Sequence, residues 1–455
     1  MTPSQIIKMN RTKLLFQLLP LAAIVTLLGC SKHGGKVVDA KSNEPIPNAL
    51  VFHNGNSTRS DSHGKFILTK FDAKEPVLVK LPGFRGARVK AEKFSDSTVR
   101  LEPLQVKGVY LSFGALKTDS TREATIALIN GTDLNTLVVD IKNERGYLSI
   151  DCDGLESFKI PRASPPSIDD VQAFLKDLHS RNIYVIGRII TFRDDALAHA
   201  RPDWAVIDVR TGKPWTDGAK MKWGDAFRTE VQDYNIAVAK ATAEAGFDEI
   251  QFANVGFPGG NPENYKYSKE SSFESRRKAL DAFWDRANKE LARYPVYISM
   301  EFWGPNIFQK DNATAANFLK NLDQHVDYIS PSLYLVDLAG RFPHSGKSAK
   351  SFPYRAISET IKRCETLLGS AKKLRPWLQN YESTAMGKVP FQAHEVALGM
   401  QAAVDAGVNG FLLWNGASKY TNTVEALKIF ASGPVKPEAD LSEPKGTNEV
   451  ELAQP

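Results

Sequence analysis

The sequence predicts an α/β chain built as a TIM (β/α)8 barrel, with a small N-terminal all-β sandwich before it. Three observations predict this. From Lys107 to about Phe430, apolar strand-like runs alternate with helical patterns. From Lys36 to about Pro103, short alternating strands are separated by turn residues. No glycine-rich turn follows the first run of the larger part, which argues against a doubly wound sheet.

Eight strands are expected in the barrel: Val109–Phe113, Thr136–Asp140, Tyr184–Ile190, Glu249–Phe252, Val296–Met300, Tyr328–Ser330, Arg375–Leu378 and Gly410–Trp414. Helical spacing fills the intervals, as over Ile168–Ser180, Val231–Ala245 and Ser275–Leu291. Such a chain length suits a barrel with some loop insertions. In the smaller part, 36–103, strands are expected at Lys36–Asp39, Ala49–Phe52, Lys65–Leu68 and Val77–Lys80. Pro45 and Pro47 punctuate them, and Asp61-Ser62-His63-Gly64 reads as a turn. Asp39, Asp61 and His63 could be ligands, but turn and cap chemistry explains each of them as well.

The 455 residues imply more than one domain, and 42% hydrophobic with 24% charged residues is a globular composition. The net charge of +6 is not gathered into a basic stripe along one element, so nucleic acid is not an expected partner. Of the 3 cysteines, Cys152 and Cys364 could pair in an oxidising compartment or stand as separate buried thiols. No Cys/His cluster has metal-ligand spacing, so no metal and no organic cofactor is expected.

Basic residues Lys8, Arg11 and Lys13 precede an apolar run from Leu14 to Gly29, the layout of an export signal and short for a spanning helix. The run ends Leu27-Leu28-Gly29-Cys30, which resembles the lipobox of bacterial lipoproteins. That resemblance implies a cleaved leader at 1–29, a lipidated Cys30 anchored in a membrane, and a tether over 30–35. Ser31 follows the cysteine, which by the same resemblance implies the outer membrane. Beyond Ser432 the chain turns to Pro, Glu, Asp, Lys and Gly, and 433–455 is expected to be disordered.

Barrels of this kind carry their active site at the C-terminal ends of the strands. Those ends hold Asp140, Lys142 and Glu144; Arg188 and Asp194; Gln251; Glu301 and Trp303; Tyr334 and Asp337; Gln379; Trp414 and Asn415. Carboxylates and amides bind hydroxyl groups in pairs, and aromatic faces stack on sugar rings. Glycosidic cleavage needs one protonated carboxyl and one carboxylate. An oligosaccharide or polysaccharide is therefore the expected partner. Glu301, Asp140 and Asp337 are the candidate catalytic carboxylates, and the other residues are candidate substrate contacts. Arg188 and Asp140 could equally neutralise each other, and Trp414 could be core.

The segment Gly35 to Phe84, with Pro45-Ile46-Pro47, Ser60-Asp61, Gly64 and Gly83-Phe84, resembles the carboxypeptidase-regulatory-like sandwich. That implies a spacer or binding module. Val138-Val139-Asp140-Ile141-Lys142, Gly246-Phe247-Asp248-Glu249-Ile250-Gln251-Phe252, Val326–Pro331, Arg375–Gln379 and Gly410–Asn415 resemble a family of glycoside-hydrolase-type barrels of unassigned function, grouped with the α-amylase-like barrels. The resemblance spans 107–430 and implies carbohydrate cleavage. In that pattern the fourth strand ends Asp-Tyr-Val-Arg-Phe-Pro, whereas this chain reads Ala253-Asn254-Val255-Gly256-Phe257-Pro258. The resemblance thus assigns the acid/base to Glu301 and leaves Ala253 at the nucleophile position. After strand six, Tyr-Pro-Ser-His becomes Tyr334-Leu335-Val336-Asp337. Three readings stay open: a hydrolase with a rewired carboxylate pair, a glycan-binding barrel without catalysis, or a structural envelope lipoprotein.

Overall fold

The computed structural model describes residues 33–69, 71–90, 98–308, 312–342, 350–383 and 391–437. Cys30, the leader and most of the C-terminal tail lie outside these residues.

Eight parallel strands close into a barrel. They are β1 (Val106–Leu111), β2 (Thr136–Lys142), β3 (Tyr184–Ile190), β4 (Glu249–Ala253), β5 (Tyr297–Trp303), β6 (Tyr328–Leu333), β7 (Trp377–Gln379) and β8 (Gly410–Trp414). Each pairs with the next, and β8 returns to β1. Gly410 opens β8 at φ 87°, where a Cβ would overlap the Val106 backbone, so closure needs a glycine there. β2 and β3 are buried along their whole length, because helices cover their outer faces while their inner faces fill the barrel. Helices such as Val171–Ser180, Thr229–Ala245 and Phe273–Leu291 follow the strands and bury their apolar faces against the wall.

Most expected strand ends shift by one to three residues, β7 for example to Trp377–Gln379, and three differences matter here. β1 begins at Val106, and Phe113 instead opens a short helix, Phe113–Leu116. β5 runs on through Trp303, so Glu301 and Trp303 are strand residues and not loop residues. The expected tether over 30–35 overlaps a strand that starts at His33.

The N-terminal part has two sheets. One orders Lys65–Leu68, His33–Asp39 and Thr98–Leu101; the other orders Asn56–Arg59, Leu50–His53, Val77–Lys80 and Ala87–Val89. Val37, Val51, Phe66, Val79 and Leu101 are in the core between them. Asp39 accepts from the Lys41 and Ser42 N–H groups, and Asp61 from those of His63 and Lys65, so both carboxylates act as turn caps. Cys152 and Cys364 are separate buried thiols, each pushed up by burial to about 12 and therefore unreactive.

Residues 80–85 of the N-terminal part close the bottom of the barrel. Tyr297 Oη donates to the Phe84 carbonyl at 2.7 Å, with the Leu81 carbonyl also in reach at 3.0 Å, and the Gly83 N–H donates to Tyr328 Oη at 2.8 Å. Lys80 Nζ pairs with Asp327 at 2.7 Å, and Arg85 donates to the Asn182 carbonyl at 2.8 Å. Above this floor, Arg375 pairs with Glu249, and both are sealed from water. Tyr184 and Ser299 also donate to Glu249.

Candidate active site

Strand parity decides which side chains reach the barrel mouth. On β4, Gln251 faces inward, so Ala253 does too, level with Glu301 on β5. On β3 the inward series ends at Arg188, paired in register with Asp140 on β2. A bulge follows between Arg188 and Ile189. It breaks the alternation, and Lys142 turns out of the barrel into the wall.

Arg188 is the hub of the mouth. Its Nε donates to Glu301 Oε2 at 2.6 Å and its Nη1 to Asp140 Oδ1 at 2.9 Å. Tyr110 Oη donates to the second oxygen of Asp140 at 2.5 Å. The guanidinium lies over the Trp414 ring, 5.0 Å from its centroid, and Trp414 stacks on Tyr110 at 4.0 Å. Burial works against the Arg188 charge, but Glu301 and Asp140 outweigh it and hold the guanidinium firmly protonated. Burial pushes the Asp140 carboxyl up, opposed by Arg188 and Tyr110, while nearby Glu144 adds to the rise. Arg188 thus reaches from β3 past β4 to a residue on β5. The methyl of Ala253 leaves it that path.

The two carboxylates differ in what remains free. Both oxygens of Asp140 are engaged, so it holds Arg188 in place. Only one oxygen of Glu301 is engaged; among the described residues Oε1 takes no hydrogen bond, and the side chain retains 14% exposure. Because one guanidinium carbon separates Nε from Nη1, the gripping oxygens of Asp140 and Glu301 lie within about 8 Å of each other.

Asp337, half-buried after β6, is pushed up from the usual carboxylate range by burial, with the Trp303 indole beside it pulling the other way. Trp303 follows Glu301 by two residues on β5, about 6.5 Å along the strand. Tyr334 is near both Glu301 and Asp337; its hydroxyl is buried, has no hydrogen-bond partner among the described residues, and is pushed up by burial and by Glu301. Trp303 itself is 52% exposed, an apolar face at the rim.

Five expected substrate contacts serve the scaffold instead. Lys142 and Asp194 pair with each other at 2.6 Å, wholly buried in the wall, with Asn235 as a further partner of Lys142. Asp194 also caps the helix Asp195–Ala200 through the Leu197 N–H. Gln251 spends its amide on Trp377, Ser299 and Ser330 below the mouth. Gln379 braces the loops through the Val336 N–H and the Tyr381 carbonyl. Asn415 ties the β8 loop through Asn380, Lys419 and Ala417. Glu144, Arg188, Trp303, Tyr334 and Trp414 remain around the mouth with the three carboxylates. Tyr110 belongs with them and was not among the expected residues, which were drawn from the second strand onward.

A family model described as "Putative glycosyl hydrolase domain" matches residues 108–420. No curated protein matches the chain. Among solved structures, a hypothetical protein from Ruminiclostridium thermocellum ATCC 27405 is 30% identical over 42% of this chain and 96% of its own, with a TM-score of 0.37. The PgaB (BpsB) glycoside hydrolase domain from Bordetella bronchiseptica is 10% identical over 72% of this chain and 99% of its own, with a TM-score of 0.51, a likeness of fold. A GH18 chitinase from Pseudoalteromonas aurantia is 11% identical over 72% and 99%, with a TM-score of 0.43.

Proposed function

The chain belongs to the glycosyl hydrolase family whose model covers its barrel, and from that premise we propose that it hydrolyses a polysaccharide of the cell envelope at the barrel mouth. The observation that carries this reading is Glu301, clamped through one oxygen by Arg188 with the other oxygen open. Glu301 is then the carboxylate that activates water. Asp337, which holds its proton to higher pH, is the acid that protonates the leaving oxygen. Asp140 and Tyr110 position Arg188. Trp303 and Trp414 offer faces to sugar rings. With alanine at 253 no carboxylate stands at the expected nucleophile position, so the outcome is inversion at the anomeric carbon.

The test is a screen on envelope and storage polysaccharides with the wild type, Glu301→Gln and Asp337→Asn, reading the product anomer by NMR. Loss in both variants with an inverted product supports the pair. A retained anomer sinks it.

One observation favours a second reading, a barrel that binds glycan without cleaving it: the guanidinium spans the path over Ala253 and neutralises charge at the mouth. Under that reading neither variant changes turnover, glycan-array binding persists, and Ala253→Asp with Arg188→Ser raises hydrolysis.

The export signal and Cys30 extend the proposal to a lipoprotein held at the outer membrane, with the N-terminal sandwich as a carboxypeptidase-regulatory-like spacer. Palmitate labelling of the full chain, lost in Cys30→Ser, tests the anchor.

A further inference from the structure

Cations without ion-pair partners gather on one face of the N-terminal part. Lys36 and Lys65 stand directly opposite each other on paired strands. Like charges in that arrangement cost stability, so the pair is not there for the sheet's sake. They line one hollow with Arg59 and with Ile67, which is 53% exposed. Arg59 also lines a neighbouring groove of about 1040 Å³, between the sandwich and the barrel floor, to which Lys41 and Lys372 contribute. None of these five cations has a carboxylate partner among the described residues. The anions near these cations are turn caps or are already paired: Asp39 accepts the Lys41 and Ser42 N–H groups, Asp61 accepts two backbone N–H groups with Lys65 nearby, and Asp327 pairs with Lys80.

The chain places this face next to Cys30. Three Cα steps, through Ser31 and Lys32, lead from Cys30 to His33, where the first strand starts. Extended, they span about 10 Å. Lys36 lies three residues further along that strand, about another 10 Å, so a lipid on Cys30 keeps the near end of the patch within about two Debye lengths of a bilayer.

We propose that this face docks on an anionic lipid surface, with Lys36, Lys41, Arg59, Lys65 and Lys372 meeting headgroup phosphates and Ile67 entering between them. The anchor alone leaves the molecule free to tumble on its tether. The patch fixes it sandwich-down, with the barrel floor toward the membrane. The orientation rests on the Cys30 reading; the affinity for anionic lipid does not.

The test uses residues 31–455 without lipid, so that the patch alone is read. Sedimentation with phosphatidylcholine vesicles is compared with sedimentation when phosphatidylglycerol is included. Binding is expected only in the second case, and to be released as salt is raised toward 1 M, where the screening length falls to about 3 Å. Changing Lys36, Arg59, Lys65 and Lys372 together to Gln is expected to weaken binding by at least about tenfold. Changing Lys176, Lys278, Lys362 and Lys428 to Gln removes equal charge elsewhere and is expected to leave binding unchanged. Equal sedimentation on neutral vesicles, salt-independent binding, or equal loss in the two variants overturns the proposal. The wild-type comparisons decide it even if the patch variant fails to fold. Absence of palmitate labelling, measured separately, sinks the anchor and leaves the lipid affinity standing or falling by itself.

Discussion

Arg375 and Arg188 stand at opposite ends of one barrel, each facing carboxylate. At the floor, Arg375 and Glu249 both have 0% exposed side chains, covered by the N-terminal segment. Among the described residues Arg375 Nε and Nη1 have no hydrogen-bond partner, and the guanidinium rests over the Tyr328 ring, 4.3 Å from its centroid. At the mouth, Arg188 meets two carboxylates whose side chains keep 4% and 14% exposure. The difference teaches what water does to the same chemistry. A sealed pair can only be structural, because no ligand reaches it and breaking it strands a charge. A pair at the rim can exchange partners with solvent or substrate.

Removing one member of the floor pair is the severest way to test that contrast. Glu249→Gln is expected to destabilise the fold by about 3–5 kcal/mol in urea unfolding, since it leaves Arg375 charged and buried. Replacing both partners with apolar residues of similar volume, Glu249→Leu with Arg375→Met, should recover most of the loss. A cost under about 1 kcal/mol for the single change would mean that the floor is wetter than described.

The matching change at the mouth should behave in the opposite way. Glu301→Gln is expected to shift stability by less than about 1.5 kcal/mol, because Arg188 keeps Asp140 and gains water. Turnover should fall by about 10²–10⁴-fold. If unfolding suffers and turnover does not, the two ends are alike and Glu301 is scaffold.

The pH dependence sharpens the role of Asp337. Its raised carboxyl carries a proton to higher pH than an ordinary aspartate, so an acid at that position gives kcat/KM an alkaline limb above the usual carboxylate range. Asp337→Asn should abolish activity at every pH. The sign for stability follows from the same shift. The neutral carboxyl suits its burial, so its contribution is full below the unfolded pKa and is lost as pH rises through the folded one. Comparing wild type and Asp337→Asn by thermal melts at pH 4 and pH 8 checks this, with the variant relatively better at the higher pH.

The smallest effect is expected at the seam between the two parts. Tyr297→Phe removes a hydroxyl that serves both the Leu81 and the Phe84 backbone, and should cost about 1 kcal/mol.

The barrel was legible because its strands are long apolar runs with helical spacing between them. The mouth was legible only in part. Residue type marked Asp140, Arg188, Glu301 and Trp414, and parity with Arg188 brings the four together. Lys142 was misread because a bulge changes its direction, and nothing local in Asp140-Ile141-Lys142 announces one. Gln251, Gln379 and Asn415 were misread because a polar residue near a strand end can as well satisfy the backbone of crowded loops. Tyr110 was missed because no residue of the first strand was considered for the mouth, although it lies within the expected Val109–Phe113 run.

The floor has a consequence for where this protein can be cut. The family model begins at residue 108, yet Tyr297, Tyr328 and Asp327 find their partners between Lys80 and Phe84. A fragment trimmed to the homologous region would lose those partners and expose the barrel's underside. The matched region is therefore shorter than the stretch whose contacts close the barrel. Expression of 108–420 alone should give an aggregating or loosened product, where a chain retaining residues 33–437 gives one cooperative transition in calorimetry.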